Sequence, residues 1–377
     1  MSDVTVKAVV DKREQKRFLN LPWVLHRSDP HWTPPLRRNQ EELVGFRSHA
    51  FYEQGESQAF LAIKDGEVCG RISAIIYPEH NRQYQEKRGF FGFFESIDDT
   101  NVSRALFQAA ENWLAEQGMM TIRGPANPSL HYEWGLLVDG FYEPAWFLMT
   151  YNPSYYQRLV EDYGFYKTQD MYAFWGEKEM LGTVDKKLEW VTREARKRFN
   201  VKLRHFNLAN FQQEVHTFLN IYNQASGAMW GYVPMSGMEA EHMAKTLKHL
   251  LVPELTCIAE VDGKPIGAIF GMLDYNPRIK QIDGRLFPFG FVRLLYKRQK
   301  IGRMRFIATD VLPEFQRWGI PMVMLNWLQP HVLNYGIEQA EFSWVLESND
   351  LSRKTLQKGG AKLTKTYRLY DYDIPKR

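Results

Sequence analysis

A pattern that occurs twice in one chain constrains its fold strongly, because each copy must bury its own apolar face. Here Ala59-Phe60-Leu61-Ala62-Ile63 passes through Lys64-Asp65-Gly66-Glu67 into Val68-Cys69-Gly70-Arg71-Ile72-Ser73-Ala74-Ile75-Ile76. Much later Thr256-Cys257-Ile258-Ala259-Glu260-Val261 passes through Asp262-Gly263-Lys264 into Pro265-Ile266-Gly267-Ala268-Ile269-Phe270. Both read as β-hairpins turned by Asp-Gly. Asp65-Gly66-x-x-x-Gly70 and Asp262-Gly263-x-x-x-Gly267 lie 197 residues apart, and Asn152 falls on Asn349 at the same offset, each ahead of a glycine-stopped helix. Asn112-Trp113-Leu114 is echoed by Asn326-Trp327-Leu328 at an offset of 214, so one half carries an insertion before this helix. The shared order predicts two copies of one α/β lobe. The polar stretch from Gly176 to Lys187 divides them into residues 1–180 and 181–377.

Within the first lobe, periodicity predicts a short helix near 18–25 broken by Pro22, strands at 89–94, 119–122 and 171–175, and a helix over 102–117 capped by Thr100 or Asn101. A second helix, capped by Asn152, runs to Gly164. The second lobe reads as helices at 188–198, 211–225 and 239–250, with strands at 201–206, 306–309 and 341–347.

The length of 377 residues allows two or three domains, and 44% hydrophobic content fits a globular chain. No apolar run is long enough for a membrane span, and the first seven residues lack a signal-peptide core, so a cytoplasmic protein is expected. Cys69 and Cys257 are far apart and form no CxxC, and the ten histidines have no zinc-like spacing, so no metal site is expected. HExxH, GxxxxGK[ST], GxSxG and a strand-borne GxGxxG are all missing. A net charge of +4 on this length is too small to imply nucleic acid.

The chemistry concentrates in Val311-Leu312-Pro313-Glu314-Phe315-Gln316-Arg317-Trp318-Gly319-Ile320-Pro321. It reads as a strand end, a tight loop and a helix start, where unpaired N–H groups and the helix dipole favour an anion. Val311-x-Pro313-x-x-Gln316-x-x-Gly319-x-Pro321 resembles the pyrophosphate-binding motif of the GCN5-related N-acetyltransferase (GNAT) superfamily, V-x-P-x-x-Q/R-x-x-G-x-G/A. Asn349-x-x-Ser352 with Gly360 is similar to the superfamily's second signature, except that Leu356 stands where tyrosine is usual. Pro321 is the other departure, since it removes one N–H donor.

The resemblance implies two tandem GNAT-like lobes, each a mixed, mostly antiparallel sheet flanked by helices. It implies acyl-coenzyme A as co-substrate, with no permanently bound cofactor, held by Val311, Gln316, Arg317, Trp318, Gly319, Ile320, Pro321 and Asn349. In the first lobe Glu95, Asp98 and Asp99 stand where a phosphate would sit, so the donor is expected in the second lobe.

Acyl transfer to an amine needs a base, and Asp310 and Glu347 end the two strands beside the loop; either is otherwise a strand-end or capping residue. In the superfamily the missing tyrosine is proposed to protonate the leaving thiolate, which leaves Tyr367 or Tyr370 as substitutes. Glu133, Trp230 and Tyr232 are the acceptor-pocket candidates, or else part of an aromatic packing surface. From Arg285 to Arg305 the chain is basic and apolar, which suits a solvated helix, an acyl carrier protein or peripheral membrane contact. The expected activity is N-acyl transfer by direct attack within a ternary complex. A tRNA-dependent aminoacyl transferase and a non-catalytic acyl-coenzyme A binder are the alternatives.

Overall fold

The computed structural model describes residues 4–182, 193–194 and 196–376. The helix expected over 188–198 lies largely outside the described residues. The chain forms two compact units: residues 1–171 with 276–294 and 365–377, and residues 172–275 with 295–364.

In the first unit the strands pair in the order Val4–Ala8, Glu56–Lys64, Glu67–Ile76, Arg88–Ser96 and Thr121–Gly124, followed by the end of the C-terminal strand Lys362–Asp373. All neighbours are antiparallel except Arg88–Ser96 beside Thr121–Gly124. Helix Thr100–Glu116 covers the sheet with Val102, Leu106, Phe107, Ala110 and Leu114 buried. Its cap is Asp99, which accepts from Asn101 N, rather than the Thr100 or Asn101 expected; an aspartate one residue earlier offers the first turn a charged acceptor.

Helix Lys12–His26 runs unbroken through Pro22, contrary to expectation. Pro22 has no N–H for the carbonyl of Phe18, and the Arg71 guanidinium supplies the missing donor at 2.9 Å. Asn152 also departs from its reading as a cap. It is buried, accepting from Leu137 N at 2.8 Å and donating to Leu137 O at 3.1 Å, and the helix begins at Tyr155.

The second unit repeats the plan with strands Lys202–Arg204, Thr256–Val261, Lys264–Leu273, Arg303–Val311 and Gln339–Leu346, the last pair parallel. Helices Phe211–Ala225 and Gly237–Leu247 precede the hairpin, and Ile320–Asn334 follows the strand that ends at Val311. The Asp-Gly turns match in detail: Asp65 and Gly66 have φ of 52° and 83°, Asp262 and Gly263 of 51° and 76°. Both hairpins shift register at equivalent places, between Ala62 and Ile63 and between Ala259 and Glu260.

The repeated glycine has a packing cause. A Cβ on Gly70 would lie 2.7 Å from Leu106, and one on Gly267 3.0 Å from Met324, so each lets the covering helix approach its sheet. The offsets are also explained. Residues 276–294 form an insertion in the second half, and the long connection after Gly124 restores the register before Asn152.

Candidate active site

In both units the parallel strands pair only at their starts, Arg88 to Phe90 with Thr121 to Arg123, and Arg303 to Phe306 with Gln339 to Phe342. Beyond these residues the strands part. Their fates differ. In the first unit the gap takes up the chain's own residues: Asn127 Oδ1 accepts from Phe93 N at 2.7 Å, and a Cβ on Gly92 would lie 1.9 Å from Ala126 O. The three carboxylates there are engaged. Glu95 accepts from His26 Nε2 at 2.6 Å and from the Tyr156 hydroxyl at 2.7 Å, with Arg71 at 3.4 Å. Asp98 pairs with Arg158, and Asp99 with Lys64 at 2.7 Å. Burial raises the Glu95 pKa, but His26, Arg71 and Tyr156 together outweigh it and hold the carboxyl below its usual value.

In the second unit strand Gln339–Leu346 leads through only three residues into helix Asp350–Lys358. The parting of the strands is marked by buried polar groups. Arg305 donates to Ser343 Oγ at 2.8 Å and to Ser343 O at 2.9 Å, and Ser343 donates to Glu341 at 2.7 Å. Arg305 is therefore an interior strut and not the surface cation that the basic run suggested, since it faces inward on its strand.

Asp310 is opposite Ala268 in the antiparallel ladder, and Val311 is opposite Gly267. Val311 Cγ2 and Met324 Sδ each lie 3.0 Å from where a Cβ on Gly267 would stand, which places Val311 on the face covered by helix Ile320–Asn334. Alternation therefore turns Asp310 to the other face, where Ala268 packs with Ile221 and Phe218 of helix Phe211–Ala225. Asp310 Oδ2 is buried without a hydrogen bond, as is the Ser226 hydroxyl just beyond that helix. Burial pushes the Asp310 carboxyl up to about 7, with the nearby Ser226 side chain offsetting only part of the rise. Tyr232 is buried too. Its hydroxyl donates to Asn223 Oδ1 at 2.5 Å, and burial followed by the charge of Asp310 raises its pKa. Two of the expected residues, Asp310 and Tyr232, are thus electrostatic neighbours.

The other candidates have separate surroundings. Glu347 is half-buried and its charge acts on Arg353. Asn349 Oδ1 accepts from Ser352 N at 3.1 Å and caps helix Asp350–Lys358. Trp230 is half-buried in the connection between the two early helices of the second unit. Glu133 lies in the first unit, paired along the backbone with Asn127, and its charge acts on Arg71. Leu356, in the superfamily's tyrosine position, packs against the core formed by Phe174, Val345 and Ala361. Tyr367 and Tyr370 are buried in the first unit, where the Tyr370 hydroxyl donates to Glu161 at 3.0 Å.

The loop after Val311 is wound tighter than expected. Pro313–Trp318 is a 3-10 helix, and Gln316 Nε2 donates to Val311 O at 3.0 Å, fixing the turn to the strand end. The Trp318 ring stacks on Phe199 at 3.8 Å and meets Phe315 edge-on, which fixes its orientation beside the loop. Gly319 has φ of 72°, and nothing lies within 4 Å of where its Cβ would be, so the backbone is open to an approaching group. Pro321 has no N–H, and Met322 and Val323 donate to Gly319 O. The open backbone at Gly319, the N-terminal end of helix Ile320–Asn334 and the exposed Arg317 fit a pyrophosphate.

Sequence reasoning missed Ser226 and the Arg305–Ser343–Glu341 set. Ser226 sits in a glycine-flanked turn without periodicity, and the buried set is visible only once strand alternation is known.

No family model matches the chain. It is 32% identical over 380 residues to Protein YghO of Escherichia coli, covering 98% of this chain and 95% of that protein. It is 33% identical over 380 residues to the bacterial ceramide synthase of Caulobacter vibrioides, covering 98% and 97%. Among solved structures, a tandem GNAT protein from the clavulanic acid biosynthesis pathway aligns over the whole of both chains, with a TM-score of 0.60 at 10% identity. A GCN5-related N-acetyltransferase from Sphaerobacter thermophilus aligns with a TM-score of 0.52 at 14% identity, covering 99% of this chain and 96% of that one. The chain has the tandem GNAT fold and belongs to the same family as Protein YghO of Escherichia coli and the bacterial ceramide synthase of Caulobacter vibrioides.

Proposed function

We propose that the chain transfers a fatty acyl group from acyl-coenzyme A to the amine of a long-chain amino alcohol, using the second unit. The observation that carries this reading is the Asp310 carboxyl, whose Oδ2 is buried without a hydrogen bond, which burial pushes up to about 7, and which stands one residue before the strand end that opens the anion cradle. A base poised near neutral pH suits proton removal from an attacking amine. The amine nitrogen bonds to the thioester carbonyl carbon, its proton passes to Asp310, and the C–S bond breaks to release coenzyme A as a thiolate. With Leu356 at the tyrosine position, the thiolate takes its proton from solvent.

Gly319 and Ile320 would bind the pyrophosphate through their amides, with Arg317 adding charge, and Gln316 would hold the turn in shape. Val311 would line the strand end, Pro321 would preset the first helical turn, and Asn349 would act by capping its helix. Ser226 and Tyr232 surround the base and would orient the acceptor, together with Trp230. Direct attack is favoured because both cysteines are buried and burial raises their thiol pKa values, which leaves little thiolate to act as nucleophile. The choice of acceptor draws on the Caulobacter relative, named for ceramide synthesis, since a ceramide is the fatty amide of a long-chain amino alcohol. No helix among the described residues is long and apolar enough to cross a membrane, and a cytoplasmic setting would give access to acyl-coenzyme A.

The test is release of free coenzyme A thiol from palmitoyl-coenzyme A by the purified chain, with sphinganine, glucosamine or a lysine peptide as acceptor. Release that depends on sphinganine and is lost in Asp310→Asn supports the proposal. Release that no amine stimulates, or that survives in Asp310→Asn, contradicts it.

A further inference from the structure

The first unit contains a built surface that the acyl-transfer site does not use. Residues 276–294 leave the second-half hairpin and fold onto this unit. Ile279, Ile282 and Leu294 are buried and Phe291 is 41% exposed, whereas Phe287 is 88% exposed, Phe289 72% and Val292 62%. A fully exposed phenylalanine forgoes the burial that usually stabilises it, and three large apolar groups within six residues form a patch and not scattered singles.

The backbone under this tip is held firmly. Asp283 accepts from Trp23 Nε1 at 2.8 Å and from Arg37 at 3.1 Å, while Arg37 N donates to Gly284 O at 3.1 Å. A Cβ on Gly284, whose φ is 69°, would lie 2.1 Å from Pro35 O, and one on Gly290 would lie 1.8 Å from Arg285 O. Phe291 N closes the loop onto Leu286 O at 2.9 Å. The phenylalanines are therefore presented by a closed, anchored turn.

Charge indicates what they are presented to. The segment carries Arg278, Lys280, Arg285 and Arg293 against one acid, Asp283, which is engaged by Trp23 and Arg37 and lies 3.7 Å from the still largely exposed Arg285. Arg285 and Arg293, both exposed, flank the aromatic tip on either side in sequence. Trp23 and Arg37 also line a groove with Lys12, Lys16, Glu41 and Phe46, so cations extend along the first helix from the anchor. A projecting aromatic tip between arginines complements an anionic lipid surface: the rings enter the acyl boundary and the guanidinium groups stay at the headgroups. A protein partner would instead need a concave seat for a side chain 88% exposed.

We propose that Phe287, Phe289 and Val292, flanked by Arg285 and Arg293, dock this chain onto the surface of an anionic bilayer. The interaction is independent of acyl transfer and is read without turnover. The test is flotation of the full chain with vesicles of equal parts phosphatidylcholine and phosphatidylglycerol, against vesicles of phosphatidylcholine alone. The chain floats with the anionic vesicles and less as salt rises. The Phe287→Ser/Phe289→Ser variant partitions roughly tenfold or more less well, and Arg285→Gln/Arg293→Gln loses about fivefold per charge removed. Because these side chains are exposed, melting temperatures stay at the parent value, which separates lost docking from lost folding. Absence of flotation by the parent chain, or equal flotation of the phenylalanine variant, overturns the proposal. So does a dimer in gel filtration that the phenylalanine variant dissolves, because the patch would then be an interface between two copies.

Discussion

Replacing Asp310 by asparagine should make the protein both inactive and more stable. The usual aspartate pKa of 3.8 is pushed up to about 7 in the folded chain, so the native state holds a proton that the unfolded chain releases at lower pH. Stability from this group is fully present below the unfolded value and falls as pH rises towards the folded one. A shift of about three units corresponds to a ceiling of roughly 4 kcal/mol. Oδ2 is enclosed but the residue as a whole is half-buried, so local relaxation relieves part of that penalty, and about 1–2 kcal/mol remains as the expected gain from asparagine. That gain would raise the melting temperature by a few degrees. The difference between variant and parent opens above about pH 4, grows to about pH 7 and is flat beyond. Thermal unfolding of both proteins across this range reads the curve directly, and kcat in the variant falls by roughly a hundredfold or more. A variant less stable than the parent at pH 8, or a gap independent of pH, would refute the account of a buried, proton-binding carboxyl.

The remaining predictions concern the cradle, the missing tyrosine and the first unit. Gly319→Glu places an anion at the cradle and raises KM for acyl-coenzyme A. Gly319→Asn, neutral and tolerant of the left-handed backbone, raises it far less, so steady-state kinetics on the pair separate charge from strain. Leu356→Ala removes a half-buried core contact and costs about 1–2 kcal/mol by denaturant unfolding, while the pH dependence of kcat stays that of the parent. Glu95→Gln leaves the buried Arg71 without its charge partner and costs about 3–5 kcal/mol. Because the Glu95 pKa is lowered, the parent's advantage over the glutamine variant is present above the usual carboxylate range and shrinks as pH falls through the folded value.

The fold was legible because it is written twice. The Asp-Gly turns, the glycines under the covering helices and the carboxylates after the first unit's parallel strand are local features that the sequence displays directly. What it hid depends on distant partners. Pro22 breaks a helix unless another group satisfies Phe18 O, and that group, Arg71, is 53 residues from Phe18. Asn152 and Asn349 occupy equivalent positions and look alike as caps, yet only Asn349 caps, because Leu137 captures the other side chain. The parting of the parallel strands is equally invisible in one dimension, and with it the different fates of the two gaps. Gly319 stands out in the sequence through the motif and Asp310 as the strand-end carboxylate beside it, whereas Ser226 is brought near Asp310 only by the facing helix.

The central claim is that the second unit binds acyl-coenzyme A at the Gly319 cradle, and ligand-induced stabilisation tests it most directly. A ligand at 100 times its dissociation constant adds about 2.7 kcal/mol, which shifts melting by several degrees. The parent chain should be stabilised by acetyl-, octanoyl- and palmitoyl-coenzyme A, increasingly with chain length, and Gly319→Glu by none of them. No shift with any thioester, or an undiminished shift in Gly319→Glu, would contradict the assignment of the donor to this loop.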